Sequence, residues 1–128
     1  MEIEVGLTGA FLMSKYFGGE MAKSGGGVIL NIASDLSVIS PNQNIYKNST
    51  ERNALSYKKP VGYSVVKHGI IGLTKYFATY WSEQGVRVNA LSPGGIKWNQ
   101  SDDFVKRIQQ LIPLGRMADR MEYTSAVQ

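Results

Sequence analysis

The sequence predicts an α/β fold, a parallel sheet with flanking helices. Three observations predict it. Two short runs, residues 28–33 and 86–91, read as strands, and the first, nearly continuous in apolar residues, suits a strand buried on both faces. Between them, residues 61–84 carry apolar residues at helical spacing and close on Gly85, a helix-ending residue. Strand, helix, glycine and strand in that order form a crossover, so the two strands should lie parallel.

The elements follow in order. Leu7, Phe11, Leu12, Tyr16, Phe17 and Met21 recur at spacings of three and four, which predicts a helix over residues 7–23. Ser24-Gly25-Gly26-Gly27 ends it. After the first strand, residues 34–60 are polar, aperiodic and contain two prolines. They read as a long loop with room for a short helix, and loops of this length in compact domains are commonly functional or disordered. Tyr46 and Tyr57 within it read as packing residues or as ligand contacts. Pro60 suits the first turn of the next helix. In that helix Val61, Val65, Val66, Ile70, Ile71, Leu73, Tyr76, Phe77, Tyr80 and Trp81 cover more than one face, which implies burial on several sides. Gly62, Gly69 and Gly72 inside it make sense where another helix or a cofactor approaches closely. Ser101 can cap a third helix, with Asp102 and Asp103 in its first turn, an apolar stripe of Phe104, Val105, Ile108, Leu111 and Ile112, and Pro113 at its end. Asp119-Arg120-Met121-Glu122 reads as the capping box of a fourth helix.

Composition narrows the class. The 128 residues suffice for one small domain, and 43% hydrophobic with 19% charged residues describe a globular chain and not a disordered one. The net charge is +4, but its densest basic group, Arg52, Lys58 and Lys59, sits in the polar stretch and reads as solvated loop, not as a nucleic-acid site. With no cysteine and one histidine, His68, neither a disulfide framework nor a Cys- or His-based metal site is expected. His68 reads as a packing or surface residue. The acidic start Met1-Glu2-Ile3-Glu4 lacks the basic opening of a secretion signal, and no apolar run is long enough to span a bilayer. A cytoplasmic protein is the expectation.

One pair of residues carries chemistry. Tyr63 and Lys67 are four apart, so on a helix they share a face. An ammonium beside a phenol favours its ionised form, and such a tyrosine can donate or accept a proton. The pair also occurs by chance on exposed helices, so its neighbours matter. Ser34 follows the first strand, Ser92-Pro93-Gly94-Gly95 follows the second, and Tyr63 opens the helix between them. All three lie at the carboxyl edge of a parallel sheet, where ligands bind in open sheets of this kind.

Four ordered segments resemble the short-chain dehydrogenase/reductase family. They are Gly27-Val28-Ile29-Leu30-Asn31-Ile32-Ala33-Ser34, Tyr63-Ser64-Val65-Val66-Lys67, the run from Gly85 through Ser92-Pro93-Gly94-Gly95-Ile96, and Pro113-Leu114-Gly115-Arg116. The resemblance covers nearly all of the chain outside residues 36–58. It implies a Rossmann-like domain and NAD- or NADP-dependent interconversion of an alcohol and a carbonyl. Tyr63 would be the general acid/base. Lys67 would keep the Tyr63 pKa low and hydrogen-bond the nicotinamide ribose. Ser34 would hydrogen-bond the substrate oxygen, with Ser37 a weaker candidate for that role. Pro93, Gly94 and Ile96 would contact the nicotinamide side of the cofactor, as would Tyr63 and Lys67. The helices at 7–23 and 61–84 resemble those through which family members form homo-oligomers. The stretch from Pro60 to Trp81 and the long loop are similar to bacterial members of surface-sugar synthesis, such as the legionaminic acid type, which implies a sugar-derived small-molecule substrate.

Three departures qualify this. The family's glycine-rich dinucleotide loop has no counterpart, because Gly25-Gly26-Gly27 precedes a strand where that loop follows one. The expectation is therefore a single incomplete domain over residues 1–128, lacking the N-terminal βαβ units and the last strand. A catalytically inactive fragment held by oligomer contacts is the alternative. Gly6 stands where the family usually has a catalytic Asn and cannot relay a proton through a side chain. Ser34 and Tyr63 are 29 apart, a longer spacing than in most single-domain members and commoner in the extended nucleotide-sugar members, and the extra residues read as a substrate-side lid or an oligomer contact.

Overall fold

The computed structural model describes residues 1–47 and 58–127. Arg52, Tyr57 and the middle of the long polar segment lie outside them. Strand β1 (Gly27–Ile32) and strand β2 (Val86–Leu91) pair in parallel, with Gly27 opposite Val86 and Ile32 opposite Leu91. Helix α1 (Gly9–Lys23) precedes β1, and helix α2 (Val61–Tyr80) provides the crossover. Helix α3 (Asp102–Gln109) follows β2. Among the described residues no helix is long and apolar enough to cross a membrane.

The crossover forms as its sequence dictates. Pro60 is the residue before the first turn of α2, not within that turn, with φ −60° and ψ 143°. At the far end Ser82–Gln84 tighten into a 3₁₀ turn, and Gly85 takes φ +74°, a left-handed conformation that costs a glycine little. The core splits in two. Phe77, Trp81, Val86 and Val88 form one cluster, with Met21 and Ile29 packed on it. Ala33, Val66 and Ile70 form the other, against Leu7, Ala10 and Ala90. A buried polar bridge lies between strand and helix: Asn31 Nδ2 donates to Thr74 Oγ1 at 3.0 Å, and that hydroxyl donates to the Ile70 carbonyl at 2.8 Å.

Four expectations are corrected. Strand β1 is not buried on both faces. In β2, Val86 and Val88 are buried while Arg87 and Asn89 are exposed, and in β1 Val28 and Ile32 are half open. Both α1 and α2 pack on the Val88 side. Second, the stripe of Phe11, Leu12, Tyr16 and Phe17 does not face the core: all four are exposed. The inward positions are Leu7, Ala10, Ser14, Gly18 and Met21. The cause is close approach of α2. A β-carbon at Gly18 would overlap the Trp81 ring, and one at Gly69 would come within 2.8 Å of Leu7 Cδ1. Gly72 meets nothing within 4 Å, so it marks no close approach. Third, α1 is preceded by a π-helical turn over Glu4–Thr8, in which the Gly9 N–H donates to the Glu4 carbonyl. Fourth, the capping box at residues 119–122 forms without an α-helix behind it. Asp119 N donates to Glu122 Oε2 at 3.0 Å and Met121 N to Asp119 Oδ1 at 2.9 Å, but only a 3₁₀ turn, Thr124–Ala126, follows among the described residues.

The third helix forms with its expected cap, Ser101 Oγ accepting from Phe104 N at 3.3 Å, but Leu111 and Ile112 of the expected stripe lie beyond it. It stops at Gln109, one turn before Pro113.

Candidate active site

The carboxyl ends of β1 and β2 are stitched together beyond the sheet. Ala33 N donates to the Leu91 carbonyl at 2.8 Å and Asp35 N to the Pro93 carbonyl at 3.0 Å. This holds the turn after β1 against the loop after β2. In front of them opens a cleft of about 510 Å³. Ser34, Tyr63, Gly94 and Ile96 line it together, and Asp35, Tyr46 and Lys59 join them. The sheet edge thus gathers most of the residues that sequence order places there. Pro93 does not line the cleft; its carbonyl is taken by Asp35 N. Lys67 lies on the other side of Tyr63, in a second depression shared with Gly6 and Val66.

Each group is held by identifiable bonds. Ser34 is buried and serves as the cap of a 3₁₀ turn over Asp35–Ser37. Its hydroxyl donates to Asp35 Oδ1 at 2.8 Å and accepts from Leu36 N at 3.2 Å. The Ser37 hydroxyl donates to the Ser34 carbonyl and is turned away from the cleft. Lys67 Nζ donates to the Ile32 carbonyl at 2.7 Å, and it lies 5.8 Å from the centroid of the Tyr63 ring. Lys59 Nζ lies nearer, at 3.7 Å from the same centroid. Tyr46 takes the packing role and also stands at the cleft. Its ring packs 5.6 Å from Phe104 and it borders the cleft. Burial is the first cause that raises its phenol pKa, and the Asp35 charge adds to it.

Gly6 packs directly on α2. A β-carbon there would stand 2.7 Å from Val66 Cγ1, so an asparagine fits only if Val66 yields. Gly94 is different: the nearest atom to a β-carbon would be Asp35 Oδ2 at 3.7 Å, an ordinary contact.

The family described as enoyl-(acyl carrier protein) reductase matches residues 2–128. The chain belongs to the short-chain dehydrogenase/reductase family. Among curated proteins it is 32% identical, over 97% of its length, to D-threitol dehydrogenase of Mycolicibacterium smegmatis, of which it covers 44%. It is 32% identical, over 88% of its length, to post-translational flagellin modification protein A of Campylobacter coli, of which it covers 42%. Among solved structures, a short-chain dehydrogenase of Leptospira borgpetersenii with bound NAD+ superposes with a TM-score of 0.85 at 37% identity. That match covers 98% of this chain and 45% of the other. This chain therefore spans less than half the length of these family members.

Two cleft residues escaped sequence reasoning. Lys59 sits among basic neighbours that look like solvated loop, although it stands four before Tyr63 as Lys67 stands four after. Asp35 gives no signal, because only the fold shows that its carboxylate accepts the hydrogen bond of the Ser34 hydroxyl.

Proposed function

We propose that this chain carries the proton-transfer centre of an NAD- or NADP-dependent dehydrogenase that interconverts an alcohol and a carbonyl on a hydroxylated, sugar-type small molecule. The observation that carries the reading is the shared cleft of Ser34, Tyr63, Gly94 and Ile96, with Lys67 one helical turn beyond Tyr63. When bound, the cofactor supplies the hydride acceptor or donor. Gly94 and Ile96 would border its nicotinamide, with Pro93 shaping the loop, and Lys67 with Tyr63 would meet its ribose. In the oxidative direction Tyr63 Oη takes the proton of the substrate hydroxyl. In the reductive direction it returns one to the nascent alkoxide. Ser34 holds the substrate oxygen, exchanging its bond to Asp35 for one to the substrate. Lys67, fixed on the Ile32 carbonyl, is held with its ammonium 5.8 Å from the centroid of the Tyr63 ring. Gly6, which shares the second depression with Lys67, has no side chain to pass the proton on.

The name of one relative supports the substrate class: it acts on D-threitol, a polyol. A cytoplasmic setting accompanies this reading.

The test is NAD(P)+-linked oxidation of polyols by the full gene product. Tyr63→Phe should lower turnover by at least about 100-fold while circular dichroism and the thermal midpoint stay put. Turnover near wild type in that variant would overturn the assignment of Tyr63. A second reading, an inactive segment stabilised by association with a second copy, is favoured by the exposed aromatics of α1 and α2. NADH binding separates the two: binding to the 128-residue chain supports the enzyme, and binding only to a longer chain supports the segment.

A further inference from the structure

Lys59 and Asp35 are the charged residues among the described lining of the cleft. Asp35 is engaged, since its Oδ1 accepts from Ser34 Oγ at 2.8 Å and from Leu36 N at 2.7 Å. Lys59 is held differently. Gln43 Oε1 accepts from Lys59 N at 2.9 Å, and Gln43 Nε2 donates to the Lys59 carbonyl at 3.3 Å. This clamp joins the two ends of the long polar segment and fixes where the Lys59 side chain leaves the backbone. The ammonium then lies over the Tyr63 ring, 3.7 Å from its centroid. Tyr63 thus stands between two ammonium groups with different commitments. Lys67 spends a donor on the Ile32 carbonyl at 2.7 Å. Lys59 makes no side-chain hydrogen bond or ion pair to a described residue. A half-buried ammonium whose contact is the face of a phenol recovers only part of its lost hydration. An anionic oxygen group entering the same cleft would supply a charge-assisted hydrogen bond.

We propose that Lys59 determines specificity by taking an anionic group of the substrate, a carboxylate or a phosphate ester, beside the carbinol that Tyr63 acts on. The inference rests on the dehydrogenase reading and narrows it to anionic hydroxy compounds. The long segment between Ser34 and Tyr63 then has a role: its base delivers a cation to the reacting centre.

The experiment compares three substrates of equal carbon number with the full gene product: an alditol, its aldonate and its phosphate ester. Wild type should favour an anionic substrate over the alditol. Lys59→Met should lower the anionic-to-neutral ratio of kcat/KM by about tenfold or more, the worth of one charge-assisted hydrogen bond. Lys59→Arg should keep the ratio. Added salt should lower it in wild type and leave it unchanged in Lys59→Met. Whichever of aldonate and phosphate ester loses more identifies the anion. An unchanged ratio in Lys59→Met overturns the proposal. Binding is followed separately by titrating aldonate and observing Tyr63 resonances. Shifts seen in wild type but not in Lys59→Met support the anion site even without turnover, when the dehydrogenase reading alone would fall. Equal shifts in both overturn it.

Discussion

Tyr63 owes its surroundings to spacing. Lys59, Tyr63 and Lys67 follow one another at intervals of four, and the start of α2 at Val61 puts the phenol between the two cations. The same intimacy of charge occurs far from the cleft, at Arg116 and Glu122. Their contact is bidentate, Nη1 to Oε2 at 2.7 Å and Nη2 to Oε1 at 3.0 Å. Arg116 first, and Asp119 N next, hold the Glu122 carboxyl down from its ordinary 4.5 to about 2. The folded pKa lies below the unfolded one, so this pair favours the fold above pH 4.5 and loses its contribution as pH falls towards 2. The carboxyl carbon of Glu122, followed by NMR, should titrate near 2, and Arg116→Gln should return its midpoint towards 4.5. A midpoint near 4.5 in wild type would mean that the bidentate pair does not persist in solution.

The crossover depends on how closely its pieces meet. Thr74 binds the strand to the helix by accepting from Asn31 and donating to Ile70. Thr74→Val keeps the shape and leaves the buried Asn31 amide without its acceptor, at a cost of about 1–3 kcal/mol. Urea denaturation should show this as a lower midpoint with an unchanged slope, and Asn31→Leu in addition should recover part of the loss. Strand, helix and strand were legible because period and glycine placement are local signals: β2 matches its predicted residues, and Gly85 turns as a glycine there should. Ser34, Tyr63 and Gly94 were legible at the cleft for a related reason, since a parallel crossover brings the carboxyl ends of its strands together, whereas Ile96 came from the family resemblance. The outward turn of Phe11 and Phe17 was not. Spacing identifies a stripe but not which stripe meets the neighbour, and here Gly18 decides by admitting Trp81. Lys59 was hidden similarly, because a charge in a polar stretch looks solvated until Gln43 fixes its backbone.

Taken whole, the molecule leaves much apolar area uncovered on one side. Tyr16 is 65% exposed, Phe17 56%, Tyr76 59% and Tyr80 61%, and these residues belong to the neighbouring helices α1 and α2. They join the inner cluster directly: Phe11 lies 6.3 Å from Phe77, Tyr76 stacks on Tyr80 at 5.6 Å, and Phe77 stacks on Trp81 at 4.4 Å. Patches of this kind commonly mark an interaction surface. We propose that the stripe that fails as core serves as an interface, since a second copy presenting the same two helices would bury both at once. Tyr16→Glu with Tyr80→Glu places two like charges in that interface while altering side chains that point to solvent. Sedimentation velocity should show wild type associating at micromolar concentration and the double variant moving to the mass of a single chain, with the fold retained by circular dichroism. A wild type that stays monomeric would exclude self-association by these helices, and a double variant that still associates would place the contact elsewhere, with the open side of β1 carrying Val28 and Ile32 the next surface to mutate.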